Sequence, residues 1–372
     1  MNLWELPGPR GWLGTVGRTI ADRTSCLIVA PSHDNPVSLR DGVHGVADDA
    51  EFRAVPADLP PDALRNPELV SIEVARHLGI AIPPGARFGS GDLVGHPDTD
   101  ANLVFVDARD TDPPTRRAWV EFASACASAG VSLRPGDRCA VTIAVTPADI
   151  AVPDQDTNLR ILWWWGVLGP LDIDVWLSQY SHPNQARPAM IAEVARWDLD
   201  LATRLATRWN GTREGLAHFV TLAPDLPVPA SKRSGIFPDS NLLGWTHGWF
   251  ESWAGRVAWI PTCEDDLDRR LWSGQIRAIY PWLEEFRAWA GGRIAPLLRN
   301  KYRLSPHVVE ETVQLELGPL LARCDDEGYK LPYELRDALR KARRTRNDLA
   351  HFTVVSPAKV AELYDAAARA GF

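Results

Sequence analysis

The chain has 372 residues, 45% hydrophobic and 24% charged, with 40 Lys+Arg against 48 Asp+Glu and a formal net charge of −8. That is an ordinary globular composition, long enough for two or three domains with sizeable cores, and it excludes binding of polyanions through overall charge. The acidity is uneven: from residue 262 onward 18 Lys+Arg meet 17 Asp+Glu, leaving 22 against 31 before it. In chain order, Gly8-Pro9-Arg10-Gly11-Trp12 opens a helix-like run that ends near Asp22, and a strand follows from Ser25 to Ala30, stopped by Pro31. Pro60 to Ala81 joins a Pro-rich connection to a helical segment carrying Leu69, Val70, Ile72, Val74, Ala75 and Leu78. A buried strand from Leu103 to Asp107, a helix from about Thr115 to Ala129 and a strand from Cys139 to Val145 complete the first 150 residues. Alternating strands and helices predict a parallel sheet covered on both faces.

Strand, loop and helix, then an apolar strand ending in Asp, then helix and strand, resembles a P-loop NTPase domain of the AAA-like kind. In that resemblance Asp107 is the acid closing the second motif strand. The loop after the first strand, Pro31-Ser32-His33-Asp34-Asn35-Pro36, departs from the pattern, because it has no glycine to let backbone N–H groups cradle phosphates. No lysine precedes Lys232, and the glycines from Gly11 to Thr19 come before the strand at the wrong spacing. The resemblance therefore implies a degenerate domain that does not hydrolyse nucleotide, with an unrelated three-layer α/β domain as the alternative.

Residues 151–260 are expected to form a Trp-rich helical connector. Thirteen of the sixteen tryptophans lie from Trp163 to Trp289. Read as helix, Trp163-Trp164-Trp165 cannot share one core face, since neighbours are about 100° apart, so one of them is expected at a junction or partner surface. Met190, Ile191, Val194, Leu201, Leu205 and Trp209 predict one helix of about twenty residues. Leu222 to Ser240, with prolines at 224, 227, 229 and 238, reads as an irregular crossing. His247, between Trp245 and Trp249, and Glu251 one helical turn on could pair, although a packed or solvent-facing His is the simpler reading.

Residues 261–372 predict four helices with short connections, an antiparallel bundle. Glu264-Asp265-Asp266 start the first, which carries Trp272, Ile276, Ile279, Leu283, Phe286 and Ala290; Pro281 should kink or split it and Gly291-Gly292 end it. The second is expected from Val308 to Cys324, interrupted at Gly318-Pro319. The third runs from Pro332 to Phe352 with Leu335, Leu339, Ala342 and Leu349 on one face, and the fourth from Pro357 to Ala370 with Val360, Leu363 and Ala367 inward. Six of the eleven residues from Arg336 to Arg346 are basic.

On the third helix Asn347 and His351 are one turn apart, with Arg346 about 100° round the same turn. A guanidinium, an amide and an imidazole on one edge can hold a phosphate and move a proton near neutral pH. The order Arg346-Asn347-x-x-x-His351 in a four-helix tail resembles the HEPN superfamily, helical bundles of which many are metal-independent ribonucleases. A second Arg-x4-His, Arg213 to His218, is set aside because it lacks the amide and has Gly215 at its centre. The resemblance implies a homodimer through the bundle with one RNA-binding cleft, and attack of a ribose 2′-hydroxyl on the adjacent phosphate to leave a 2′,3′-cyclic phosphate. His351 would then exchange protons, Arg346 hold the phosphate, Asn347 orient either of them, Arg343 and Arg344 steer RNA, and Glu284 support Arg346 from behind.

The expected fold class is thus α/β plus all-α: a parallel-sheet domain at 1–150, a helical middle at 151–260 and a HEPN-like bundle at 261–372. Cys26, Cys126, Cys139, Cys263 and Cys324 are scattered without ligand spacing, which points to a reduced cytoplasm and to neither a zinc site nor a disulfide framework. Met1 to Pro7 does not read as a signal peptide. The most apolar stretch, Ile161 to Leu177, contains Asp172 and Asp174, so no membrane association is expected. No metal or other cofactor is called for. The layout resembles effectors of bacterial conflict and phage-defence systems, toxins restrained by a sensing part. The alternatives are an inactive adaptor that docks on an ATPase or another defence protein, and a nucleotide-responsive regulator.

Overall fold

Residues Cys26–Val29 (β1), Asn102–Asp107 (β3) and Ala140–Val145 (β4) are apolar at nearly every position, which suits only strands covered on both faces. In the computed structural model they pair in parallel, with Glu51–Ala54 (β2) at one edge and Arg160–Trp163 (β5) at the other, in the order β2-β3-β4-β1-β5. The structure describes residues 1–31, 38–47, 50–99, 102–147, 158–182, 184, 186–223, 225–226, 242–302, 314–326 and 328–372. They fall into two units, Met1–Asp172 with Val228–Trp259, and Ile173–Pro227 with Ile260–Phe372.

In the first unit α1 (Pro7–Ala21) and α2 (Leu39–His44) cover one face of the sheet: Val16, Ile20, Leu39 and Val43 pack on Cys26, Ile28, Leu103, Phe105, Ala140 and Ala144. Helices α3 (Pro67–His77), α4 (Ser90–Val94) and α5 (Pro113–Gly130) pack together, and α5 lies on β1 and β4. The parallel sheet is the expected one. Strands β2 and β5 were not foreseen: β2 is short, mostly exposed and carries Glu51 and Arg53, so no buried run marks it.

The helical reading of Trp163 to Trp165 is corrected. Strand β5 ends at Trp163, and extended chain sends successive side chains to opposite faces. Trp164 is buried against Trp4 and Trp12, at 5.8 and 5.0 Å between ring centroids, while Trp165 meets Trp245 at 5.5 Å and Phe250 at 5.8 Å. After the short α9 (Leu242–Thr246), β6 (Phe250–Trp253) and β7 (Arg256–Trp259) form an antiparallel hairpin in a stretch expected to be helical. The sequence 151–260 is not one element group: its two ends belong to the first unit and its centre to the second.

In the second unit α6 (Pro170–Leu177, from Ile173 on), α7 (Ala186–Ala195) and α8 (Leu199–Arg208) precede the tail. The single helix expected from Met190 to Trp209 is two. Arg196 takes a left-handed φ of 52°, and Asp198 caps α8 by accepting the Leu201 N–H at 2.8 Å. Helix α10 runs unbroken from Glu264 to Tyr302, through Pro281, Gly291-Gly292 and Pro296. Its apolar face continues across them through Ile279, Leu283, Phe286, Ala290 and Ile294, all buried, and that packing outweighs roughly 1 kcal/mol per glycine. Helix α11 (Leu317–Asp326) has Gly318-Pro319 in its first turn, where proline is tolerated, rather than as an interruption. The expected start of that helix at Val308 lies outside the described residues. Helices α12 (Tyr333–Ala350) and α13 (Pro357–Ala370) follow, and α10 to α13 share one core built on Phe286, Leu320, Leu339 and Leu363.

Candidate functional site

Helix α12 forms because Leu335, Ala338, Leu339, Ala342, Thr345 and Leu349 bury on one face. The opposite face carries exposed Arg340, Arg343, Arg344, Asn347 and His351, with Arg336 half-buried beside them. Arg336 pairs with Asp325, whereas Arg340, Arg343 and Arg344 make no ion pair among the described residues. The helix stops at Ala350, one residue before the imidazole. His351 is its C-cap, its backbone N–H donating to the carbonyl of Asn347 at 3.0 Å, and Phe352 turns the chain with a left-handed φ of 57°.

Two side chains of α10 hold this end of the helix, and sequence reasoning missed both in that role. The Trp272 indole N–H donates to the Leu349 carbonyl at 2.6 Å, and its ring lies 4.5 Å from that of Phe352. Gln275 is 1% exposed; its amide N–H2 donates to the Val355 carbonyl at 2.6 Å and its oxygen accepts the Val355 N–H at 2.8 Å. His351 therefore stands on a loop pinned on both sides. The only available signal was a buried-face glutamine, which patterning alone does not distinguish from a surface one.

Arg346 is half-buried and pairs with Glu316, Nη2 to Oε2 at 2.8 Å, while its Nε–H is buried without an acceptor among the described residues. Glu284, expected behind Arg346, instead pairs with Arg287 one turn along α10 at 2.8 Å. The carboxylate that meets Arg346 comes from the start of α11, which no local spacing could reveal. Arg213 of the second Arg-x4-His pairs with Glu264 and Asp268, and the residues after it form a 3-10 turn from Glu214 to His218.

In the first unit, β1 and β4 are neighbours whose connections run to opposite edges, β1 toward β2 and β4 toward β5. Open α/β sheets place ligands at the carboxyl ends of strands at such a switch point. Asp107, at the end of β3, is held by Arg109: Nε and Nη2 donate to its two oxygens, each at 2.8 Å. A bidentate guanidinium thus sits where a metal ion would need that carboxylate. The hydroxyl of Thr146, just past β4, is buried without a partner among the described residues. Residues 32 to 36 of the Pro31–Pro36 loop lie outside them.

His247 and Glu251 do not pair as one helical turn. His247 stacks on Trp249 at 4.9 Å, and Glu251 is 4% exposed on β6, accepting from the Trp245 indole at 2.7 Å and the N–H groups of Gly166 and Ser252 at 2.8 Å. Burial pushes its carboxyl up to about 7, against the opposing pull of these donors. Four of the five cysteines are buried, and burial raises Cys26 and Cys324 to about 11 and Cys139 to about 12, so these three are poor nucleophiles. Among the described residues no group of His, Cys, Asp and Glu could hold a metal ion, and no helix is long and apolar enough to cross a membrane. Compared with family models, curated proteins and solved structures, the chain matches none of them.

Proposed function

We propose that the tail is a metal-independent endoribonuclease of HEPN type, working as the effector of a bacterial conflict or phage-defence system in the cytoplasm. The observation that carries this reading is the solvent-facing row Arg340, Arg343, Arg344, Asn347 and His351 on one helix, ending at a pinned loop. Cations without acidic partners attract a phosphate backbone, and an exposed imidazole can exchange protons with a 2′-hydroxyl near neutral pH. In this reading His351 transfers the proton, Arg346 holds the phosphate with Asn347 beside it, and Arg343 and Arg344 guide the strand. Two copies of the tail face one another through α12 and share the RNA. The AAA-like resemblance of the first unit is supported by the place of β1 between β4 and β5, with acid-bearing β3 one strand further, an arrangement such ATPases share. The Arg109 clamp on Asp107 supports a degenerate, non-hydrolysing domain.

A second reading, an inactive adaptor docking on an ATPase or effector, is favoured by the Glu316 carboxylate already occupying Arg346. RNA cleavage in EDTA by the wild type and by His351→Ala separates the two. Cleavage that disappears on substitution supports the nuclease; none in either, with a defined protein partner bound, supports the adaptor. Tight, magnesium-dependent ATP binding would overturn the degenerate reading of the first unit.

A further inference from the structure

A cleft of about 680 Å³ in the second unit lies away from α12, between the end of α6, the start of α7 and the middle of α10. Its size is that of a small-molecule site. The apolar part of the wall comes from Leu177, Ala189, Pro281 and Trp282; the polar part from Asp174, His182, Arg277 and Glu285. What the polar groups have left to offer is almost entirely lone pairs. Arg277 is engaged by Asp174 at 3.2 Å and Glu193 at 3.5 Å. The Nε2 of His182 is taken up by the Leu177 carbonyl at 3.1 Å, and its Nδ1 is buried away from the cleft. Pro281 has no N–H, so the Arg277 carbonyl one turn before it loses its helical donor. Glu285, one turn after Pro281 on the same face, is exposed and has no partner among the described residues. Among the lining side chains Asp174 and Glu285 against Arg277 leave an excess of negative charge, and the Trp282 indole lines the same wall.

Unpaired acceptors, surplus negative charge and an aromatic ring in one cleft describe the complement of a planar cation rich in N–H donors. We propose that this cleft binds an alkylguanidine, its guanidinium on Glu285 and the Arg277 carbonyl, and its stem along Trp282 and Leu177. A guanidinium fits better than an ammonium because its fixed fork presents several donors at once and its plane stacks on an indole. The site is independent of the ribonuclease reading and stands or falls apart from it.

The test is isothermal titration of the full chain with N-butylguanidine, with N-butylurea as its neutral isostere and butylamine as the ammonium. The expected result is saturable one-to-one binding of N-butylguanidine, weaker binding of butylamine and none of N-butylurea. Glu285→Gln should weaken N-butylguanidine by about tenfold, the size of one charge-assisted hydrogen bond. Glu285 is exposed, so the variant should keep the wild-type melting temperature, which is checked alongside. No saturable binding through the millimolar range, equal binding of N-butylurea, or unchanged affinity in Glu285→Gln each overturns the proposal.

Discussion

Gly274→Ala gives opposite answers on the sequence and on the structure, which makes its sign diagnostic. Gly274 lies inside α10, and on helix propensity alone alanine there would stabilise by about 1 kcal/mol. In the structure α10 crosses α7 at this point, and a Cβ on Gly274 would fall 2.5 Å from the Met190 Cα and 2.7 Å from both the Met190 nitrogen and the Ala189 carbonyl oxygen. Ordinary contact needs roughly 3.5–4.0 Å between such atoms, so the helices must separate by about 1 Å. The obstacle is backbone, and no side-chain rotation relieves it. Overpacking of this kind costs about 1–3 kcal/mol and lies at the upper end when backbone must move; after the propensity gain the expected net loss is about 2 kcal/mol. Trp272 and Gln275, which pin the loop holding His351, flank this glycine. On the proposed ribonuclease reading, the same shift should also lower RNA cleavage. Urea unfolding followed by tryptophan fluorescence measures the first effect, and cleavage in EDTA the second. A midpoint equal to or above that of the wild type refutes the close crossing and with it the positioning role given to α10.

His351→Ala should lower RNA cleavage by at least about 100-fold, the usual weight of a general acid–base, with an unchanged melting temperature because the residue is exposed; retained cleavage sinks the assignment. Gln275→Ala removes two hydrogen bonds to the buried Val355 backbone, and should cost on the order of 2 kcal/mol. On the proposed ribonuclease reading it should reduce kcat more than KM, since the loop loses its place while the arginine row stays; a pure KM effect argues against positioning. Glu251 has a carboxyl raised from 4.5 to about 7. An acid whose folded pKa is raised stabilises fully below its unfolded pKa and loses that contribution as pH climbs to the folded value. The wild type should therefore lose on the order of 3 kcal/mol more than Glu251→Gln between pH 4.5 and 7. Parallel pH–stability curves for the two proteins would contradict this.

Much of the local structure was readable because period and burial coincide. β1, β3 and β4 are apolar at nearly every position, and α12 and α13 repeat apolar residues every three or four positions, so each could bury in one way only. The misreadings share a cause. Trp163-Trp164-Trp165 and the stretch 250–259 are short and aromatic, and a short apolar run does not choose between a 3.6 and a 2.0 period until something packs on it. Pro281 and Gly291-Gly292 looked like breaks, but the core contacts on either side are worth more than the local penalties.

The candidate site divides along the same line. That Asn347 and His351 share an exposed edge of one helix follows from their spacing and from the apolar stripe opposite, so the chain dictates it locally. That Arg346 meets Glu316 rather than Glu284, and that Gln275 holds Val355 from 80 positions away, depends on which surfaces pack together. Sequence by itself determined the periodic elements and the face each would bury, because those rest on backbone geometry repeated every few residues. Tertiary structure alone decided the partners of Arg346 and Gln275. Their energies depend on distance and burial, and both are set by chain segments far apart in the sequence.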